Sequence, residues 1–319
     1  MPVCKRSPRS LVMLSILLFF LPATSFAAEE RAIDFVTFNV RWFGSHYKNP
    51  RAEKPVPIDP DVARERVVIL KHFVEQVIKP TDVVQFEEVT DVKLLKKILP
   101  KRWTCASYHH DNRSHQKIAI CASPAYKFLK VPYDDNMVIE EVAQEKDKQW
   151  SRPALRIDLA DLDGNRIARF VGVHLKAMPF YSFERARQMK VIADDLARDR
   201  SLPVVVAGDM NTYLKEQTKR SADDVDFLTF LLKRSDPGFR HVKLPGAAYT
   251  FRSPRYRSAF DHVMVNGLVK TSNAQIFSVC NRVRNGVGFL NFEYYYEYVS
   301  DHCPVRVKLK VPRTLPSVP

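Results

Sequence analysis

Long apolar runs are scarce in this sequence. The longest, residues 11–22, has 12 members, short of the about 20 that a helix needs to cross a bilayer. No later segment is long and apolar enough to serve. No Cys-x-x-Cys pair occurs, which excludes a structural zinc site built on that spacing. There is no repeat at a fixed period, no low-complexity tract and no clear linker; the proline-rich stretch at 48–60 reads as a loop within one domain. No cysteine stands between the apolar run and residue 28, which argues against a lipid-anchored mature terminus.

What is present begins with a secretory pattern. Lys5, Arg6 and Arg9 precede the apolar run, and "SFA" ends at Ala27 with small residues suited to cleavage. Residues 1–27 are therefore expected to be a cleaved signal, and residues 28–319 a single domain, exported to the periplasm or the medium and monomeric by default. An uncleaved anchoring helix is the alternative. Without 1–27 the formal charge falls from +14 to +11. A strongly basic exported protein favours polyanionic partners, nucleic acid or an anionic membrane surface, with solubility alone as the plainer explanation. Four cysteines remain: Cys105, Cys121, Cys280 and Cys303. An even number is compatible with two disulfides in any of three pairings, or with buried free thiols. Cys105 and Cys121 flank "HHDNRSHQK" symmetrically about Arg113, so a hairpin there would set them opposite each other and leave Cys280 with Cys303.

Runs rich in β-branched and aromatic residues recur at 33–40, 82–89, 117–123, 154–160, 166–175, 202–209, 260–267 and 304–311, and each predicts a strand. Helical spacing appears at 59–78, where Asp59 or Asp61 is available as a cap and Val62, Val67, Leu70, Phe73, Val74 and Val77 share a face. It returns at 182–199, with Ser182 as the cap candidate, and at 222–234. A chain of this size and pattern makes one large sandwich or α/β domain. Most polar residues that close the strand runs stand at the C-terminal side, where loops at one sheet edge build sites on a rigid support.

Those residues are Asn39, Glu88, His174, Asp209 and Asn211, joined by Asp261, Asp301 and His302 at strand starts. Carboxylates and an amide oxygen suit hard cations such as Mg²⁺, Mn²⁺ or Ca²⁺. Two histidines beside them exchange protons near neutral pH. The combination fits metal-assisted phosphoryl chemistry. Each residue also has a plainer reading, Asn39 and Asp209 as turn formers and His174 as a satisfied core histidine; their joint occurrence in this order carries the argument.

Taken in series, "FVTFNVRWFG", "VVQFEEVTD", "VGVHLK", "VVAGDMN", "FDHVMV" and "VSDHCPVRV" resemble the endonuclease/exonuclease/phosphatase superfamily from about residue 33 to 310, and "FNVRWFG" is similar to the opening of its deoxyribonuclease I-like group. The resemblance implies an α/β fold, a four-layered α/β/β/α sandwich with two central mixed sheets and the site at one rim. It implies Glu88 as principal Mg²⁺ ligand, helped by Asn39 and Asp301, and Asp209 with Asn211 positioning water and phosphate. It makes His302 the general base, oriented by Asp261, and His174 the general acid, the two roles being exchangeable. Arg41 and Arg152 would contact phosphate through their guanidinium forks. Two departures stand out. Glu87 precedes Glu88 where the family has Gln, and strand alternation should point it away from the site. Gln116 stands where the group carries a Glu paired with the first histidine, so it would orient His174 without stabilising its charge.

Arg252, Arg255 and Arg257, with Arg282 and Arg284, form basic clusters suited to backbone phosphates, which carry no sequence information. These features favour an exported, sequence-tolerant endonuclease acting on DNA and also RNA. Two alternatives are a lipid-headgroup phosphodiesterase of the sphingomyelinase kind, which needs an exposed apolar hairpin such as "GVGFLNFEYYY", and a non-catalytic polyanion binder.

Overall fold

The computed structural model describes residues 29–44, 46–47, 56–79, 81–108, 115–143, 152–245, 249–277, 280, 295–296 and 298–313. The expected signal at 1–27, Arg282 and Arg284, the loop at 48–55 and most of "GVGFLNFEYYY" lie outside the described residues.

Among the described residues, two seven-stranded mixed sheets pack face to face. The first is built around β1 (Glu30–Phe43), parallel to β2 (Val83–Val89) and antiparallel to β6 (Val305–Pro312). The second is built around β3 (Arg166–His174), parallel to β4 (Val204–Asp209), which is antiparallel to β5 (Asp261–Val265). The central strands are buried on both faces and read as near-continuous apolar runs, whereas β6 alternates buried valines and leucine with exposed lysines. Along β1 the residue parity divides two interfaces. Phe35 meets Phe170 of the opposite sheet at 5.4 Å between ring centroids, while Phe38 on the other face meets Phe73 of a helix at 5.6 Å.

Helices close the sandwich. α1 (Pro60–Phe73) and α2 (Val92–Ile98) lie together over the first sheet, and α3 (Ser182–Leu196) and α4 (Val225–Leu232) pair over the second. Asp59 caps α1 by accepting from Asp61 N, the first of the two expected candidates. Ser182 is not a cap: a short 3₁₀ turn over Pro179–Tyr181 runs straight into α3, so Ser182 is already helical and Tyr181 precedes the helix without a side-chain bond. Val62, expected on the core face, is 42% exposed because it sits in the first turn, ahead of the buried Arg66, Leu70 and Phe73. α2 was not expected; seven residues are too few to display a helical period.

The sheets approach closely where glycine permits it. A Cβ on Gly208 (φ +134°) would stand 2.0 Å from Val173 O and 3.0 Å from Glu87 Oε1, so only glycine fits before Asp209. Both disulfides join the expected partners. Cys105 and Cys121 are directly opposed in the strand pair Thr104–Ser107 and Lys117–Ala122, and Cys280 is bonded to Cys303 beside His302. Among the described residues, no helix is long and apolar enough to cross a membrane.

Candidate active site

The site forms where parallel strands of both sheets end. In the second sheet, register places His174 beside Asp209 and Asp209 beside Asp261. In the first, Asn39 lies beside Glu87. Regular alternation gives Gln85 and Glu87 to the inter-sheet space. Glu88 escapes that rule through a left-handed backbone (φ +59°), next to a register shift between Asn39 and Phe43, and its carboxylate enters the cleft. Glu87, the extra acid, lies buried between the sheets rather than in the cleft, accepting from Thr37 Oγ1 at 2.7 Å and from Gln85 Nε2 at 2.5 Å. Burial pushes it well above the usual carboxylate range, reinforced by the charge of Asp261.

The cleft, about 430 Å³, has a polar floor that includes Glu88, Arg152, His174, Asp209, Asn211, Asp301 and His302. His174 Nε2 lies 3.4 Å from Asp209 Oδ2 and 3.8 Å from Glu88 Oε1; these three donate ligand atoms all within 4.8 Å of one another. Asn39 Nδ2 bridges the carboxylates, donating to Asp209 Oδ2 at 3.1 Å and Glu88 Oε1 at 3.2 Å, while its Oδ1 accepts from Arg41 N at 2.9 Å. Its amide is therefore set as a donor, with the oxygen turned from the cluster. Asn211 (φ +49°) donates its own N–H to Asp209 Oδ1 and its side-chain amide to Leu175 O.

The two histidines differ. His302 Nδ1 pairs with Asp261 Oδ2 at 2.8 Å, and its Nε2 lies 3.7 Å from Asp209 Oδ2. Burial opposes its charge, but Asp261 and Asp209 outweigh burial and raise it well above the ordinary histidine range. His174 Nδ1 is buried without a hydrogen-bond partner among the described residues. Burial, then Arg152 and His302, hold that ring well below the ordinary range. Gln116 does not orient His174 as expected: its Oε1 accepts from Arg152 Nε at 2.8 Å. The stronger donor is the buried guanidinium, which captures the amide oxygen. Burial also pushes Asp209 up to about 7, with Asp261 and Glu88 adding to the rise against the charge of His302. Glu88 is raised by burial and by Asp301.

The arginines fall into separate places. Arg152 is buried at the cleft wall. Arg41 sits outside the lining, its Nε 3.8 Å from Asp301 Oδ2 and its guanidinium over the Tyr296 ring. Arg255 and Arg257 are exposed on the small hairpin at 251–258 and are not among the residues that line the cleft, with Arg257 over Tyr249.

Sequence reading missed Arg66. Buried in α1, it donates to the carbonyls of Val40, Arg41 and Trp42 at the end of β1 and to those of Tyr298 and Val299 before Asp301, at 3.0–3.4 Å. It binds the two segments that present Asn39 and Asp301. Trp42, left-handed at φ +51°, thereby aims its N–H at Glu88 Oε2, 3.2 Å away. A lone arginine on a helix shows no pattern that distinguishes this role from a solvated charge.

Comparison with known proteins agrees with the architecture. Among solved structures, an endonuclease/exonuclease/phosphatase from Bacteroides vulgatus superposes with a TM-score of 0.59 at 18% identity, covering 88% of this chain and 99% of that one. TDP2 of D. rerio complexed with single strand DNA product gives 0.57 at 16% identity, covering 87% and 98%. The mannosyl-6-phosphatase Bt3783 of Bacteroides thetaiotaomicron VPI-5482 gives 0.54 at 14%, covering 88% and 99%. No curated protein sequence matches significantly. The profile of one family matches residues 36–302, a span that starts inside β1 and ends on His302. The chain belongs to the endonuclease/exonuclease/phosphatase family.

Proposed function

We propose that this chain is an exported, Mg²⁺-dependent phosphodiesterase that hydrolyses nucleic acid, DNA first and RNA as a further substrate, with little regard to sequence. The observation that carries this reading is the convergence of Glu88, His174, Asp209 and His302 on one cleft floor, with Asp261 behind His302. Family membership supports hydrolysis at a phosphoester bond. The excess of positive charge favours a polyanion over a small neutral ester. The D. rerio neighbour holds a single strand DNA product, which supports the choice of nucleic acid. Two disulfides fit an oxidising compartment.

The donor set fits a hard divalent cation, Mg²⁺ or Mn²⁺, with Ca²⁺ as an accessory ion. Glu88, half-buried and crowded by the charge of Asp301, is the proposed principal ligand, with Asp301 its helper. Asn39 serves as a donor to Glu88 and Asp209, and becomes a ligand only if its amide turns over. The bound cation supplies neutralisation of charge on the phosphoryl oxygens. Asp209 and Asn211 position the attacking water and the phosphate. His302 accepts the water's proton, and Asp261 stabilises the imidazolium that results. His174, also beside Asp209 Oδ2, protonates the leaving oxygen; the alternative exchanges the two roles, and the raised proton affinity of His302 with the lowered affinity of His174 favours that exchange. Arg152 holds phosphate inside the cleft, Arg41 at its edge, and Arg255 and Arg257 meet phosphates farther along the strand.

The test incubates mature protein, and its His302→Ala variant, with supercoiled plasmid, RNA, sphingomyelin vesicles and p-nitrophenyl phosphate, in Mg²⁺ and in chelator. Nicking that needs Mg²⁺ and falls about 10²–10⁴-fold in the variant is expected. Lipid or monoester turnover without nicking would overturn the nuclease reading, and binding without turnover would favour the polyanion binder.

A further inference from the structure

The cleft's floor is polar, but its walls are aromatic. Met178, Phe180 and Tyr181 form one wall, and Phe251, Tyr256 and Phe260 line the same space. Met178 is 54% exposed, Phe180 69% and Tyr256 56%. An isolated exposed apolar residue needs no explanation, whereas several inside one cleft mark a binding surface. The rings come in neighbouring pairs, Phe180 with Tyr181 at 4.6 Å and Phe251 with Tyr256 at 5.2 Å between centroids.

The first wall is held in place rather than trailing. Arg185, buried in α3, donates to Lys176 O at 3.1 Å and Met178 O at 2.8 Å while its other terminal nitrogen binds Asp223 at 2.7 Å. Gln188 Oε1 accepts from Lys176 N. Met178 keeps a left-handed backbone (φ +78°) at the turn that raises Phe180. These bonds preorganise the wall for a planar partner. Lys176, on the same wall, places its ammonium 4.7 Å from the Tyr181 ring. Cation, ring and ring thus follow one another beside a floor suited to a phosphodiester, as phosphate and base follow one another along a strand.

We infer that these walls take an unpaired nucleobase next to the scissile phosphate, so that the enzyme acts on single-stranded or frayed nucleic acid in preference to intact duplex. In a duplex both faces of each base are occupied by stacking and its edge by pairing, so a ring can be received only after the base leaves the stack. A bilayer is the lesser fit, because the rings line the inside of the cleft together with Lys176 and Arg152.

This inference rests on the nuclease reading, and the experiment separates the two. One labelled oligonucleotide is presented as single strand, as blunt duplex, and as a strand of the same length built from abasic residues. kcat/KM is measured for the parent, Phe180→Ala, Phe180→Trp and Phe230→Ala, the last an exposed ring on α4 outside the cleft. The expected result is a preference of tenfold or more for single strand over duplex. Phe180→Ala should lower the ratio of base-bearing to abasic cleavage by about 5- to 100-fold, chiefly through KM. Phe180→Trp should retain that ratio, and Phe230→Ala should match the parent. Equal cleavage of single strand and duplex would overturn the inference, as would an unchanged ratio in Phe180→Ala. Failure to cut any strand, abasic or not, would instead overturn the nuclease reading and this inference with it.

Discussion

Asp261 illustrates how a single carboxylate is committed. It is fully buried; one oxygen accepts from His302 Nδ1 and the other has no hydrogen-bond partner among the described residues. A buried carboxylate held this way has little to offer the fold, since removing a charge from water costs more than one pairing returns. Its value lies in what it does to His302. Replacing Asp261 by Asn keeps the shape and removes the charge, so the charged form of His302 is favoured less and its titration moves to lower pH. We predict that Asp261→Asn lowers kcat by about 10²–10⁴-fold with KM little changed and moves the corresponding limb of the kcat–pH profile to lower pH. Plasmid nicking measured from pH 5 to 9 checks both; an unmoved limb would mean that another group governs it.

At the scale of elements, the site depends on two chain ends being tied together. Arg41 and Trp42 both have positive φ, 45° and 51°, conformations that cost about 1–3 kcal/mol each and persist only when the surroundings enforce them. Arg66 is the enforcing group, because its fork reaches carbonyls on both sides. A lysine keeps the charge but offers one compact ammonium, which cannot span them. Arg66→Lys is expected to cost about 2–4 kcal/mol of stability, from carbonyls left unsatisfied. If Glu88 and Asp301 hold Mg²⁺ as proposed, it should also raise the Mg²⁺ concentration needed for half-maximal activity by about 10–100-fold, as loss of support behind metal ligands does. Denaturant melts and an Mg²⁺ titration of activity measure the two separately. Stability loss with an unchanged Mg²⁺ midpoint would confine Arg66 to the fold.

The same elements show what the sequence could and could not reveal. Glu88, Asp209 and His302 were legible because polar residues recur at the ends or starts of successive apolar strand runs, and their joint occurrence in this order singles them out. The hairpin of Cys105 and Cys121 was legible from symmetry. Arg66 was not, since burial of a helical arginine is decided by distant carbonyls. Neither was the donor orientation of Asn39, nor the capture of Gln116 by Arg152, because both follow from three-dimensional competition for one oxygen. The aromatic wall at 178–181 was hidden for a similar reason: only the turn at Met178 shows that its rings face the cleft. Glu88 itself was found by motif, while the left-handed backbone that delivers it appears only in the structure.

For the whole molecule, acid should act through a pair of histidines behind the site. His262 is fully buried, its Nε2 2.8 Å from Thr212 O and its Nδ1 3.1 Å from His241 Nε2. Thr212 follows Asn211 in the chain and His262 follows Asp261, so this pair underpins both strand ends of the second sheet. Burial, aided by mutual repulsion, pushes His241 down to about 3, and burial lowers His262 as well. Both groups are then neutral in the folded chain at a pH where the unfolded chain, with histidines near 6.5, has become charged. The unfolded state therefore binds more protons below about pH 6.5. The contribution of His241 is complete above that pH and is lost as the pH falls toward about 3, at a slope of about 1.4 kcal/mol per pH unit, and that of His262 runs in the same direction. Replacing His241 by Gln removes one titrating group and leaves a neutral side chain in its place. The variant should cost about 1 kcal/mol at pH 7.5 through its lost contact with His262, yet its stability should fall less steeply than the parent's between pH 6 and 4. Urea unfolding of metal-free parent and variant at half-unit pH steps reads the slopes, and parallel curves would show that His241 titrates alike in the folded and unfolded chains.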